Sequence, residues 1–130
     1  MKKKRHGHLI LVVEDDEKMG AMLEKVLCSE GYSIDIAYSG NEAISKITAS
    51  PYDLVLADMV MPGMDGIELL KEVKSAYPYI YFIIITAFGS DETRERALNG
   101  GADIFLSKPV KMEELKAEIK RLLSQSVQKQ

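Results

Sequence analysis

An aspartate closes a short apolar run in the segment DLVLADMVMPGMDG, where Asp58 follows Leu54–Ala57. Consecutive apolar residues of this kind predict a strand that is buried on both faces. A carboxylate at the end of such a strand is costly to bury unless it is paired, protonated or bound to a metal. Pro62, Gly63 and Gly66 follow in the same segment, so Asp58 leads into a loop. It could simply cap that loop, or it could carry chemistry.

Polar side chains also follow other apolar runs of the sequence. Glu14 and Asp15 come after the first run, Thr86 after the fourth and Lys108 after the fifth. Taken alone, an acidic run is usually a solvated loop or a helix start, a threonine can satisfy loop backbone, and a lysine is usually on the surface. These ordinary interpretations lose force because all the residues occupy the same kind of position. Together with Asp58, they favour a site.

Phosphoryl transfer is the chemistry that these residue types suit best. If the first and third strands are neighbours, Glu14, Asp15 and Asp58 converge, and such carboxylates cannot all stay ionised unless a cation joins them. Their oxygen atoms suit Mg²⁺, which also accepts phosphate as a ligand. Lys108 offers a positive charge to phosphate oxygens, and Thr86 offers a hydroxyl. The combination predicts that the Asp58 carboxylate acts as a nucleophile while cations neutralise the developing charge.

The elements that must position these residues alternate along the chain. Stretches with helical period separate the apolar runs, which predicts a repeated βα unit, a parallel sheet and helices on both of its faces. In such sheets, ligands bind at the carboxyl ends of the strands. The predicted strands are Leu9–Val13, Ser33–Ala37, Asp53–Ala57, Ile80–Ile85 and Asp103–Ser107.

Helix boundaries can be predicted from capping signals. Ser39 with Glu42, and Asp65 with Glu68, have the spacing of capping boxes, and Ser90 is a candidate N-cap. The last helix is predicted over 112–123. An apolar stripe on the first helix is predicted to face the core, and its residues are Met19, Met22, Leu23, Val26 and Leu27.

Composition excludes several classes of protein. The chain has 130 residues, 46% hydrophobic and 28% charged, which is typical of one globular domain. Its net charge of −3 gives no reason to expect direct nucleic-acid binding. The apolar run behind MKKKRHGH is too short for a secretory signal or a membrane span. The one cysteine, Cys28, cannot form an internal disulfide, which fits a reducing cytoplasm.

Four motifs, LILVVEDDE, DLVLADMVMPGMDG, IIITAFG and IFLSKPV, occur in this order. With them, the chain resembles the receiver domain of two-component response regulators over Leu9 to Leu123. The resemblance implies a doubly wound, flavodoxin-like (βα)5 fold with a five-stranded parallel sheet in the order 2-1-3-4-5. It places a receiver domain over 9–124. The charged start of the sequence predicts a basic tail over 1–8, and its polar ending predicts a polar tail or the start of a linker over 125–130.

The resemblance assigns roles to individual residues. Asp58 would accept the phosphoryl group from a phosphohistidine of a partner kinase. Asp15 and Asp58 would bind Mg²⁺, or Mn²⁺ in its place, while Glu14 acts through water and Val60 contributes its backbone carbonyl. Lys108 would pair with the phosphoryl group.

The resemblance also implies a switch. Lys108 would precede a cis bond to Pro109. Thr86 would swing to bind a phosphoryl oxygen, and Phe105 would turn inward into the vacated space. This movement would change the face formed by the fourth helix, the fifth strand and the fifth helix.

The implied partners are a sensor histidine kinase or phosphotransfer protein, and an output partner or C-terminal effector domain. A phosphorylation-dependent homodimer is a further expectation, whereas direct contact with nucleic acid or a membrane is not expected. The domain would be modified once per signalling cycle and would not be an enzyme acting on external substrates. The expected location is the cytoplasm.

Several residues depart from the family pattern or exclude rivals. Glu14 stands where the family often has aspartate, and Phe105 stands where it often has tyrosine. In the family, side chains two residues after the positions of Asp58 and Thr86 border the path of the attacking water. Here they are Val60 and Phe88, which cannot orient a water, so the resemblance implies slow loss of the phosphoryl group. An aspartyl-phosphate phosphatase of the haloacid dehalogenase type would need an acid at position 60. A nucleotide-binding loop would need glycines after the first strand, and a calcium loop would need more closely spaced acids.

Overall fold

The computed structural model describes residues 7–128, in which strands and helices alternate strictly. The strands are β1 (Leu9–Val13), β2 (Ser33–Ala37), β3 (Leu54–Asp58), β4 (Tyr81–Thr86) and β5 (Ile104–Ser107). The helices are α1 (Glu17–Cys28), α2 (Gly40–Ala49), α3 (Gly66–Ala76), α4 (Asp91–Asn99) and α5 (Met112–Gln128). Most of the predicted basic tail, residues 1–6, lies outside the described residues.

The strands form one parallel sheet in the order β2-β1-β3-β4-β5. This confirms the predicted fold class and the predicted strand order. β1 lies inside the sheet and all of its residues are buried, because helices cover both of its faces.

Two apolar layers sandwich the sheet. Alternate residues of a strand point to opposite faces, so Leu11 packs in one layer while Ile10 and Val12 pack in the other. Helices α2, α3 and α4 contribute to the layer of Leu11. Helices α1 and α5 cover the opposite layer. The two-layer core holds the carboxyl ends of the strands level at one edge.

The predicted helix starts are largely confirmed. Asp65 and Glu68 form a complete capping box, and Ser90 caps α4 by accepting a hydrogen bond from the Thr93 amide. Ser39 likewise accepts from the Glu42 amide, but the Glu42 carboxylate accepts from the Tyr38 amide. At α2, the Glu42 carboxylate thus binds the amide of the residue before the N-cap and not that of the N-cap itself, so the capping box is not reciprocal.

The predicted end of the last helix is wrong. Helix α5 continues from Met112 to Gln128, whereas the sequence predicted an end at Leu123. The polar residues after Leu123 no longer contribute to the apolar stripe, but they include no proline or glycine that would end a helix. In the part of the chain that the structure covers, no helix has the length and apolar character needed to cross a membrane.

Two aspartates at the amino ends of strands link the strands to their neighbours. The carboxylate of Asp53, just before β3, accepts a hydrogen bond of 2.8 Å from the Leu9 amide at the start of β1. Asp103, just before β5, accepts one of 2.8 Å from the Phe82 amide in β4. Asp103 also forms an ion pair of 3.2 Å with Lys74 of α3. These carboxylates complete strand pairing at the amino edge of the sheet.

Candidate functional site

Strand register brings the predicted site residues to the carboxyl edge of the sheet. Asp58 is the last residue of β3 and lies opposite Ile85 of β4, next to Thr86 at the end of that strand. Val13 pairs with Ala57, so Glu14 follows β1 beside Asp58. The sequence predicted that the acidic residues converge only if the first and third strands are neighbours. The observed pairing of β1 with β3 meets this condition.

Four side chains form what we call the charged cluster: Glu14, Asp15, Asp58 and Lys108. The Lys108 ammonium lies 3.0 Å from Asp58 Oδ2 and 3.5 Å from Glu14 Oε1. Carboxylate oxygens of Glu14, Asp15 and Asp58 all lie within 4.8 Å of one another. Glu14 is only 4% exposed, so its charge is poorly solvated. The cluster holds more negative than positive charge in a small, partly buried space.

The protonation of the charged cluster reflects this crowding. Burial raises the pKa of the Glu14 carboxyl above its usual value, and the nearby charge of Asp58 adds to this effect. The Asp16 amide, at 3.2 Å from Glu14 Oε2, and the Lys108 ammonium act in the opposite direction but only in part. Burial alone would lower the pKa of Lys108, but its hydrogen bond and attraction to Asp58 raise it above its usual value. Lys108 is therefore a fixed positive charge at neutral pH.

The acidic run after β1 divides into two functions. Glu14 and Asp15 belong to the charged cluster. Asp16 instead caps α1, because its carboxylate accepts hydrogen bonds from the Lys18 and Met19 amides. This cap was not predicted, although an acid immediately before a helical period is the signal that indicates it.

The loop after β3 folds back on the end of the strand. The Val60 amide donates a 3.1 Å hydrogen bond to Asp58 Oδ1, and the Gly66 amide donates one of 2.8 Å to the Met59 carbonyl. A Cβ at position 66 would lie 2.6 Å from the Asp58 carbonyl oxygen, so only glycine fits there. Gly63 has a φ of 76°, which glycine adopts without strain. The loop thus keeps residue 60 beside the charged cluster.

The residues predicted to switch are buried. Thr86 is inaccessible to solvent, and its Oγ1 accepts a 3.0 Å hydrogen bond from the Phe88 amide. Within the described residues, the Thr86 hydroxyl makes no hydrogen bond to Asp58 or Lys108. Phe105 is 5% exposed and already packs in a core cluster. The Lys108–Pro109 peptide bond is cis, as the resemblance implies.

An apolar cavity of about 410 Å³ adjoins the charged cluster. It lies between α1 and the segment that leads from Lys108 into α5, and Glu14, Asp58 and Lys108 are its charged lining residues. The sequence analysis missed it, because Met19 and Met22 were assigned to an ordinary core-facing stripe. Met22 is 42% exposed, so that prediction is wrong for this residue.

Comparisons with known proteins agree with this fold and site. The family model described as "Response regulator receiver domain" matches residues 10–120. A curated relative, the transcriptional regulatory protein ZraR of Salmonella typhimurium, is 41% identical over 115 residues, which are 88% of this chain and 26% of that protein. The transcriptional regulatory protein TcrA of Mycobacterium tuberculosis is 36% identical over 116 residues, 89% of this chain and 46% of that protein. The chain thus spans between a quarter and a half of the length of these relatives.

A solved structure is similar over nearly its whole length. It is the CheY-like response regulator receiver domain protein of Methanospirillum hungatei, with a TM-score of 0.91 and 32% identity. The match covers 95% of this chain and 98% of that one. The likeness therefore extends over the whole sheet and both helical layers.

Proposed function

The chain belongs to the family of response regulator receiver domains, and we propose that Asp58 accepts a phosphoryl group from a partner histidine kinase or phosphotransfer protein. The observation that carries the proposal is the charged cluster, in which the Asp58 carboxylate contacts Lys108 and lies beside two further acids. A carboxylate that only capped the loop would not need these neighbours.

The proposed reaction is a displacement at phosphorus. The carboxylate of Asp58 attacks the phosphorus atom of a phosphohistidine, a P–O bond forms, and the P–N bond breaks as the imidazole leaves. Lys108, which already lies 3.0 Å from Asp58 Oδ2, stabilises the negative charge of the transferring phosphoryl oxygens. The Val60 amide, 3.1 Å from Asp58 Oδ1, holds the carboxylate in one orientation.

The residues present fit a magnesium ion. Carboxylate oxygens of Glu14, Asp15 and Asp58 lie close enough to share one cation, and oxygen-only ligands suit Mg²⁺ or Mn²⁺. We propose that Asp15, Asp58 and the Val60 carbonyl hold the ion directly, while buried Glu14 acts through water. When bound, the ion would neutralise charge on the phosphoryl oxygens.

We propose that phosphorylation changes the face formed by α4, β5 and α5, with Thr86 and Phe105 as the switch. The Phe105 ring is already in the core, so burial of an exposed ring cannot drive this change. Instead, Thr86 would exchange its Phe88 amide partner for a phosphoryl oxygen, which would pull on the loop before α4. Such a change shifts a population between two states.

The proposed partners follow from the same reaction. The curated relatives are named as transcriptional regulators and are longer than this chain, so the output would be an effector domain, an output partner or a homodimer. The domain itself would bind neither nucleic acid nor a membrane. It would be modified once per cycle, unlike an enzyme with many turnovers. The exposed, unpaired Cys28 fits a cytoplasmic location.

Labelled phosphoramidate tests the proposal, because its P–N bond resembles that of phosphohistidine. Wild-type protein should incorporate label only with Mg²⁺ present, and Asp58→Asn should incorporate none. Glu72→Asn, on the exposed side of α3, is the control for a lost carboxylate. Label that persists in Asp58→Asn would disprove the assignment of the phosphoacceptor.

A further inference from the structure

The cavity beside the charged cluster has the size and lining of a small-molecule site. Its volume of about 410 Å³ lies within the range of about 300–1,000 Å³ that is usual for such sites. Its side walls include Met19, Met22 and Leu23 of α1, and Val110 and Met112 of the segment entering α5. Every lining residue other than Glu14, Asp58 and Lys108 is apolar.

Polarity is thus confined to one end of the cavity. A hydrated metal ion would use only that end, because its water shell gains nothing from contact with methionine or valine side chains. The apolar part therefore offers binding energy that the proposed phosphoryl transfer does not use. Met22 is partly exposed, so a ligand can reach the cavity from the side of α1.

The charge at the polar end selects the ligand. Glu14 and Asp58 line that end together with Lys108, and Asp15 lies beside them, so carboxylates outnumber the lysine. Without a bound metal, an anion would be repelled, and a neutral ligand would leave the carboxylates without a further partner. A cation with an apolar body would match both ends.

We propose that this cavity binds a small apolar amine, whose ammonium group lies among the carboxylates of the charged cluster and whose hydrocarbon part contacts Met19, Met22 and Val110. The amine and Mg²⁺ would compete for the same carboxylates. An amine of this class would therefore hold the domain unphosphorylated. The competition with Mg²⁺ and this last consequence rest on the proposed function, whereas binding of the amine does not require metal or phosphoryl transfer.

Binding can be measured with the methionine methyl groups as probes. The full chain, labelled at methionine methyls, would be titrated with cyclohexylmethylamine and observed by NMR without any phosphodonor. Signals of Met19, Met22 and Met112 should shift. Those of Met59, Met61 and Met64, which pack on the other face of the sheet, should not.

Two analogues separate the contributions of charge and apolar contact. Methylamine keeps the charge without the ring, and cyclohexylmethanol keeps the ring without the charge. Each should bind at least about tenfold more weakly than the amine, since burying several methylene groups and pairing a buried carboxylate both contribute strongly. Equal affinity for methylamine would show that only the acids bind, and equal affinity for the alcohol would show that charge plays no part. Either result would overturn the proposal.

A matched pair of variants tests the location. Met22→Gln should weaken amine binding about threefold or more, because it places a polar amide in the apolar wall. Leu98→Gln is the control, since Leu98 is 40% exposed, similar to Met22 at 42%, but lies on α4 across the sheet. Added Mg²⁺ should weaken amine binding in both variants and in the wild type.

The outcomes are independent of whether Asp58 is phosphorylated. No shift of the cavity methionines, equal effects of the two variants, or an amine affinity that stays unchanged at Mg²⁺ concentrations where Mg²⁺ alone shifts the wild-type spectrum would each disprove the cavity proposal. A failure of phosphoramidate to label the protein without amine would count against the proposed function alone.

Discussion

The two edges of the sheet each carry a lysine–aspartate pair of nearly the same geometry. At the amino edge, Lys74 and Asp103 lie 3.2 Å apart, and at the carboxyl edge Lys108 and Asp58 lie 3.0 Å apart. The lysines have similar exposure, with side chains 17% and 21% exposed. The aspartates differ more, since the Asp103 side chain is 29% exposed and that of Asp58 is 11% exposed. Distance and lysine exposure alone therefore do not separate a structural pair from a functional one.

The partners around each pair make the difference. At the amino edge, Lys74 also donates to the Pro78 and Ile80 carbonyls, and Asp103 also accepts from the Phe82 amide. Backbone groups of the chain therefore supply the remaining hydrogen-bond partners of that pair. At the carboxyl edge, Lys108 meets further carboxylates, and negative charge remains in excess there. The ion pair whose surroundings leave negative charge unbalanced is therefore the one that indicates function.

Removing the two lysines in turn gives the largest expected contrast. Lys108→Met should slow phosphorylation of Asp58 about a hundredfold, because a positioned cation at the transferring oxygens is lost. Lys74→Met should leave that rate unchanged but lower the free energy of unfolding by about 1–2 kcal/mol, since its hydrogen bonds tie α3 to the residues that lead into β4 and β5. Rates with a small phosphodonor and urea unfolding measure the two effects. Similar losses of rate in both variants would contradict the comparison.

Metal binding should distinguish the carboxylates of the two edges. Mg²⁺ at about a hundred times its dissociation constant should raise the free energy of unfolding of the wild type by about 2.7 kcal/mol. Asp15→Asn should lose most of this increment, because one ligand of the charged cluster is gone. Asp53→Asn should be less stable than wild type but keep the increment, because Asp53 binds the Leu9 amide. Thermal or urea unfolding with and without Mg²⁺ checks both.

Exposed apolar side chains near the charged cluster should prolong the phosphorylated state. Combined Val60→Asn and Phe88→Gln should speed loss of the phosphoryl group up to about tenfold, because polar side chains can orient the attacking water. Tyr79→Gln provides the control at the amino edge, since Tyr79 is 68% exposed and Phe88 is 69% exposed. Decay after removal of the phosphodonor is the measurement. Unchanged decay in the double variant would refute this explanation.

The smallest expected effect is a dependence of stability on pH. Because burial raises the pKa of Glu14, the folded protein binds that proton more tightly than the unfolded chain does. Between the ordinary and the raised pKa, the wild type therefore loses stability as pH rises. Without metal, Glu14→Gln should be more stable than wild type near neutral pH, and this advantage should shrink as pH falls through the raised pKa.

Urea unfolding in the presence of a chelator, at a series of pH values, measures this difference. Glu72→Gln, at an exposed position on α3, should show no such trend. A Glu14→Gln advantage that grows toward low pH would reverse the sign and contradict the electrostatic account.

Much of the fold could be predicted from local pattern. Strand limits were predicted within one residue at each end, and the one-residue shift that brings Asp58 into β3 reflects its pairing opposite Ile85. The end of α5 could not be predicted from apolar period, because the sequence after Leu123 is mostly polar and carries no apolar repeat, although the helix continues to Gln128.

The site could be predicted less completely than the fold. Residue types at strand ends indicated Glu14, Asp58 and Lys108, because parallel strands end together. The cavity could not be predicted, since helical period cannot distinguish Met22 at a cavity wall from a residue packed in the core. The buried position of Phe105 likewise depends on tertiary packing around β5.

Intact mass after incubation with acetyl phosphate tests the central claim most directly. It should be measured with and without Mg²⁺ on wild type, Asp58→Asn and Asp103→Asn. The account predicts a Mg²⁺-dependent gain of one phosphoryl group in wild type and in Asp103→Asn, and none in Asp58→Asn. A gain in Asp58→Asn, or no gain in wild type, would contradict the assignment of the carboxyl edge as the phosphoacceptor site.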